Sequence, residues 1–205
     1  MLESIETKAD ATSEDVLETN ELSVVIDPGH GSSDPGKVGT NDILEKDINL
    51  KIAGKLKELL IAEKIDVVMT REDDSGMADS KVEDLKARVS LINEKKPDLA
   101  VSIHQNSYQT SEVKGAQVFY FTHSTEGESA AGILQETLRE IDPENHRQAK
   151  ANTSYYLLKK TEVPLVIVEC GFLSNPEEAG KLNTDEYQEQ MAEAICKGVK
   201  RYLGR

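Results

Sequence analysis

Leu22-Ser23-Val24-Val25-Ile26-Asp27-Pro28-Gly29-His30-Gly31 is the stretch on which the fold turns. A β-branched run breaks off into Asp-Pro-Gly, the pattern of a buried strand delivered into a tight turn. Strand-length apolar runs recur at Val67–Met69, Leu99–Ile103, Val118–Phe121 and Leu165–Val168. Between them the apolar residues fall at helical spacing. Ile48, Ile52, Leu56, Leu59 and Leu60 make one stripe, and Val82, Leu85, Val89 and Ile92 a second. Ile133, Leu134, Leu138 and Ile141 make a third, and Tyr187, Met191, Ala194, Ile195 and Val199 a fourth. Asn175-Pro176-Glu177-Glu178 reads as a helix start, with Asn as N-cap, Pro at the first helical position and acids in the first turn. Strands alternating with helices predict an α/β fold: a single domain with a mostly parallel central sheet flanked by helices on both faces.

Nothing within 22–205 reads as a repeat or a Pro/Gly-rich linker, and 205 residues suit one such domain without a disulfide or metal staple. Lys and Arg number 24 against 38 Asp and Glu, a net charge of −14. That balance argues against nucleic-acid binding, which rests on attraction to phosphate, and against a polybasic membrane-surface role. No apolar run approaches the roughly 20 residues that span a bilayer. Residues 1–21 carry seven acidic side chains against Lys8 and read as a disordered tail or linker. Their start, Met1-Leu2-Glu3-Ser4, has neither a basic nor an apolar segment, so no targeting or anchor segment is expected in this chain. Cys170 and Cys196 form no C-x-x-C pair and leave the redox compartment open.

In open α/β sheets ligands gather beyond the carboxyl ends of the strands. The first strand delivers His30 there. The run Asp98–Ile103 ends at His104-Gln105-Asn106, and Pro164–Val168 ends at Glu169-Cys170-Gly171. Glu45 is in phase with Ile48, Ile52, Leu56 and Leu59, which puts a carboxylate on the buried side of a first helical turn. Carboxylates seldom stand there unless paired or on a metal. Each residue has a bland explanation. Glu45 fits a D-x-x-E capping box with Asp42 as N-cap, His30 a turn histidine bonded to backbone, His104 a core-edge histidine, and Glu169 a partner for Lys or Arg. Taken together, two histidines and a glutamate match a catalytic zinc set with one position left for water. His123 and His146 fall in or near polar segments and read as surface or structural.

Asp27–Gly31, Leu44–Asp47, Ser102–Asn106 and Val168–Asn175 resemble the four signature segments of the zinc-dependent N-acetylmuramoyl-L-alanine amidases, in order and spacing, across about residues 22–203. Those cell-wall hydrolases cut the amide between the lactyl group of muramic acid and the first L-alanine of the stem peptide. The resemblance implies His30, Glu45 and His104 as Zn²⁺ ligands and Glu169 as the catalytic carboxylate. It also implies peptidoglycan as substrate and an extracytoplasmic place of action, in the cell envelope or the developing spore cortex. Glu169 leaves an apolar strand, where burial should lift its pKa towards neutrality and suit it to take a proton from a metal-activated water and give it to the leaving amine. Ser32, Gln105 and Cys170 depart from the usual residues of the family. Cys170, next to Glu169 on a strand, should face the opposite side.

The run Val82–Asn93 is most similar to the germination-specific, spore-cortex branch, whose members remove stem peptides so that muramic δ-lactam can form. The bland account of that run is a packed helix face with Arg88 snorkelling beside it. The span between His104 and Val118 leaves no room for the blocking helix inserted in some relatives, and no wall-binding module is expected after Arg205. An activating or recruiting partner protein is compatible with such a domain, as is a monomer or weak oligomer. Two rival functions remain. A zinc carboxypeptidase-like peptidase would need a cationic clamp for a terminal carboxylate, and none stands out. A non-catalytic muropeptide-binding domain would be expected to lack one of the four polar residues, and all four are present.

Overall fold

Six strands form the sheet of this computed structural model, which describes residues 22–205. The acidic stretch 1–21, read above as a tail or linker, lies outside the described residues. The strands are β1 (Ser23–Pro28), β2 (Asp66–Met69), β3 (Leu99–Asn106), β4 (Gln117–Phe121), β5 (Lys150–Asn152) and β6 (Leu165–Phe172), in the order β2-β1-β3-β6-β4-β5. All neighbours run parallel except β4 and β6, which are antiparallel. The reversal follows from chain length: residues 107–116 are too few for the crossover that parallel pairing requires. β6 is buried along its whole length and β3 nearly so, which is why both read as apolar runs rather than alternations.

The helices are α1 (Glu45–Ala62), α2 (Lys81–Lys95), α3 (Thr125–Ile141), α4 (Tyr156–Lys160), α5 (Pro176–Leu182) and α6 (Asp185–Tyr202). On one face Val24, Ile26, Val101, Ile103 and Val168 pack against Ile52, Leu56, Leu134 and Ile195 from α1, α3 and α6. On the other, Val25, Ala100 and Ile167 meet Val89, Ile92, Leu157 and Leu158 from α2 and α4. Alternate residues of one strand thus feed two cores, as the period of two demands. No helix among the described residues is long and apolar enough to cross a membrane.

Several sequence expectations hold. The Asn175 side chain accepts from the amides of Glu177 and Glu178, both at 3.0 Å, with Pro176 opening α5. Others change. Asp42 does not cap α1: it sits in the 3₁₀ turn Thr40–Asp42 at φ 56°, Leu44 occupies the N-cap position, and Glu45 is the first helical residue. The D-x-x-E capping box is therefore not formed, and the Glu45 carboxylate is free for other work. Val82 is 63% exposed, so the buried stripe of α2 begins later in the helix. β3 and β6 run on past Ile103 and Val168, and His104 and Glu169 belong to the strands themselves. β5 and α4 were not expected.

Candidate metal centre and active site

His104 and Glu169 are register partners on neighbouring parallel strands, so their side chains stand side by side on the same face of the sheet. His30 follows β1 at φ 63°, a left-handed backbone that non-glycine residues seldom adopt. Glu45 reaches in from the start of α1. Its Oε1 lies 3.2 Å from His30 Nε2 and 3.0 Å from His104 Nδ1, and the three donor atoms lie within 4.8 Å of one another. The two imidazoles meet edge to face, with centroids 5.0 Å apart. This crowding dictates glycine at two places. A Cβ on Gly29 would fall 2.2 Å from His104 Cε1, and one on Gly36, at φ +67°, would fall 2.6 Å from Glu45 Oε2.

The donors are held by a second layer of bonds. His30 Nδ1 pairs with Asp34 Oδ2 at 2.9 Å, and Asp34 Oδ1 accepts from Lys81 Nζ at 2.6 Å. A carboxylate on one ring nitrogen, leaving the other aimed inward, is the usual support of a metal-ligating histidine. Glu45 Oε1 also accepts the Gln105 amide at 3.0 Å, and Oε2 accepts the Lys37 amide at 2.7 Å. Beneath the His30 loop lie two buried arginines. Arg71 donates to the carbonyls of Pro28 and Gly29 at 3.0 and 3.1 Å, and Arg88 to those of Pro28 and His30 at 2.8 and 2.7 Å. Arg88 is 3% exposed, so it does not snorkel.

Charge and burial set the protonation of the group. Burial pushes the Glu45 carboxyl up, but hydrogen bonds and charge from His104 and His30 outweigh it and hold it well below the usual carboxylate range. Burial pushes the His104 imidazole down, yet the hydrogen bond and charge of Glu45 raise it to about 9. At Glu169 burial prevails, with His104 pulling down and Glu45 pushing up, and the carboxyl is raised to about 7. Glu169 Oε2 is buried without a hydrogen-bond partner, whereas buried polar atoms almost always have one. Cys170 packs into the core on the opposite side, as its neighbour position requires, and burial pushes its thiol far up.

The arrangement fits a metal by the chemistry of its donors. Two imidazole nitrogens and one carboxylate oxygen converge on one point, and the desolvated Glu169 stands beside them over a cleft of about 570 Å³. Leu85, Tyr155, Tyr156 and Ile167 give the cleft apolar walls, and Lys37 stands at its exposed side. His123, against the Phe121 ring, and His146 are both exposed and neither lines the cleft. Sequence reasoning missed Asp34, Arg71 and Arg88. Only Arg88 left a signal, three residues after Leu85 on the buried face of α2.

Fold and site together have the design of a metallohydrolase. The family model described as N-acetylmuramoyl-L-alanine amidase matches residues 24–201, and the chain belongs to that family. It is 38% identical over 188 residues to the germination-specific N-acetylmuramoyl-L-alanine amidase of Bacillus subtilis, a match covering 88% of this chain and 79% of that protein. The CwlD amidase of Clostridioides difficile, solved in complex with the GerS lipoprotein, superposes with a TM-score of 0.87 at 37% identity, over 90% of this chain and 99% of that one. An N-acetylmuramoyl-L-alanine amidase of Clostridium difficile 630 superposes at 0.83 with 35% identity, over 91% and 98%.

Proposed function

We propose that this chain hydrolyses the amide between N-acetylmuramic acid and L-alanine in peptidoglycan, with Zn²⁺ held by His30, Glu45 and His104 and proton transfer by Glu169. The convergence of those three donors beside a desolvated carboxylate is the observation that carries the reading. Zn²⁺ in such a site supplies Lewis-acid polarisation of a carbonyl and lowers the pKa of a water from about 16 to about 7. The chain's own residues do the rest. Glu169, its carboxyl raised to about 7 by burial, can accept a proton from water near neutral pH. The same carboxyl, once protonated, delivers that proton to the departing amine of alanine. Asp34 on His30 Nδ1 and the amides on Glu45 keep the donors aimed inward throughout.

Of the cleft cations, Arg88 is committed to Asp27 and Asp84, and Lys81 to Asp34. That leaves Lys37 at the exposed side as the cation a carboxypeptidase reading would need as its clamp. Digestion of purified peptidoglycan with and without a chelator, followed by zinc, tests the reading. Zinc-dependent appearance of new L-alanine amino groups is expected. Release of C-terminal amino acids, or no change in the polymer with zinc present, would defeat it.

The reading extends to an extracytoplasmic role in spore cortex, supported by the likeness to a germination-specific amidase of Bacillus subtilis. A partner protein belongs to it as well, by analogy with the CwlD–GerS complex. Capture of a specific envelope protein by the full chain, lost on competition with untagged chain, tests that part.

A further inference from the structure

We propose that the buried Asp27–Arg88 pair is a positioning device for His30, setting where its imidazole stands relative to Glu45 and His104. This rests on the reading of His30 as a metal ligand. The left-handed backbone at His30, φ 63°, is strained for a residue with a Cβ and persists only where surrounding bonds over-determine it. They do so here. Arg88 spends one nitrogen on the His30 carbonyl at 2.7 Å, and a second on the Pro28 carbonyl at 2.8 Å and Asp27 Oδ1 at 2.7 Å. Its third, Nε, donates to Asp84 Oδ2 at 2.6 Å.

Asp27 is anchored in turn. Its Oδ1 accepts from Thr70 Oγ1 at 2.7 Å and its Oδ2 from Ser102 Oγ at 2.6 Å, which ties it to the end of β2 and to β3. Ser102 lies two residues before His104, on the same face of β3. The guanidinium thus ties the His30 loop to the strand that presents the second imidazole. Arginine is needed for shape, because only its planar fork reaches a carboxylate on one side and two carbonyls on the other. Its charge is already met by Asp27 and Asp84, so what it offers the site is shape.

Sign and shape separate this role from the alternatives. Arg88→Lys keeps the charge and loses the fork. Zn²⁺ affinity is measured by competition with a chromophoric chelator, the ligand geometry by the absorption spectrum of the Co²⁺ form, and fold stability by urea unfolding without metal. Arg88→Lys is expected to weaken Zn²⁺ about 10- to 100-fold, the range for lost outer-layer support, and to alter the Co²⁺ spectrum. Asp84→Asn keeps the oxygen that accepts the Met77 amide and sets its Nδ2, a donor, against Arg88 Nε–H. Only the Nε bond is lost, so a weakening of about 10-fold, the low end of the range, is expected. A folded Arg88→Lys protein with affinity within twofold of the parent and an unchanged spectrum would overturn the proposal. Should Arg88→Lys fail to fold, Asp84→Asn decides: unaltered affinity and spectrum overturn it. A parent protein that binds no Zn²⁺ overturns the reading beneath it as well.

Discussion

Glu169 is pulled in two directions, since burial favours its neutral form and its proposed role as base needs the anion. With the carboxyl raised to about 7, kcat/KM should climb through neutral pH on its acid side, and Glu169→Gln should abolish that limb. The same substitution is expected to lower turnover at least 10²- to 10⁴-fold while leaving Zn²⁺ affinity nearly unchanged, readable by assay and chelator competition. Stability follows the opposite sign from an ion-paired acid. The folded pKa of about 7 exceeds the ordinary 4.5, so the folded state binds the extra proton between those values. Stability from this group is full below about 4.5 and is lost as pH rises to 7. Urea unfolding of the metal-free protein at pH 5 and pH 8 should show a smaller loss in Glu169→Gln than in the parent. His104, raised to about 9, must shed its proton for a metal to take Nδ1. Zn²⁺ affinity should therefore rise with pH up to about 9, by up to tenfold per unit. Gly29→Ala, whose Cβ would fall 2.2 Å from His104 Cε1, should lose Zn²⁺ and keep its circular dichroism spectrum. The four central residues were legible because strand ends and helical phase mark where side chains emerge. The arginine clamp was not, because a buried arginine on an amphipathic helix is spelled like an exposed one, and Asp34 stands in a loop without periodicity.

Among the elements, α5 begins with the most complete cap. Asn175 accepts two amides and also donates from Nδ2 to the Ser111 carbonyl at 2.8 Å, which ties the helix start to the loop between β3 and β4. Asn175→Ala should cost about 1–2 kcal/mol, the upper part of the range for caps, in urea unfolding monitored by circular dichroism. This start was plain in the sequence because capping chemistry is local. The start of α1 was misread for the complementary reason: Asp42 and Glu45 have the spacing of a capping box, and tertiary bonds from His30, His104, Gln105 and Lys37 claim the glutamate. β5 is three residues and α4 five, too short to show a period, so they exist through pairing and packing that no local pattern announces. The antiparallel entry of β4 was hidden too, since an apolar pentapeptide has no direction until its neighbour is known.

At the scale of the molecule, a net charge of −14 faces a substrate whose stem peptides bear carboxylates. Repulsion between the two should make binding to intact sacculi stronger as salt rises from low to physiological ionic strength, where the screening length falls to about 8 Å. Sedimentation of the protein with sacculi across that range measures it, and cleavage of a small neutral substrate should stay flat. The α/β class was readable from alternation of strands and helices, whereas the strand order was not. That order places β6, the last strand made, between β3 and β4, which precede it along the chain. His30, Glu45 and His104 all lie upstream of it, and Glu169 lies on it. A polypeptide stopped before residue 165 would carry all three residues of the proposed ion site yet lack both the keystone of the sheet and the carboxylate proposed to move the proton. On the proposed reading, hydrolytic competence arrives only once β6 has been made.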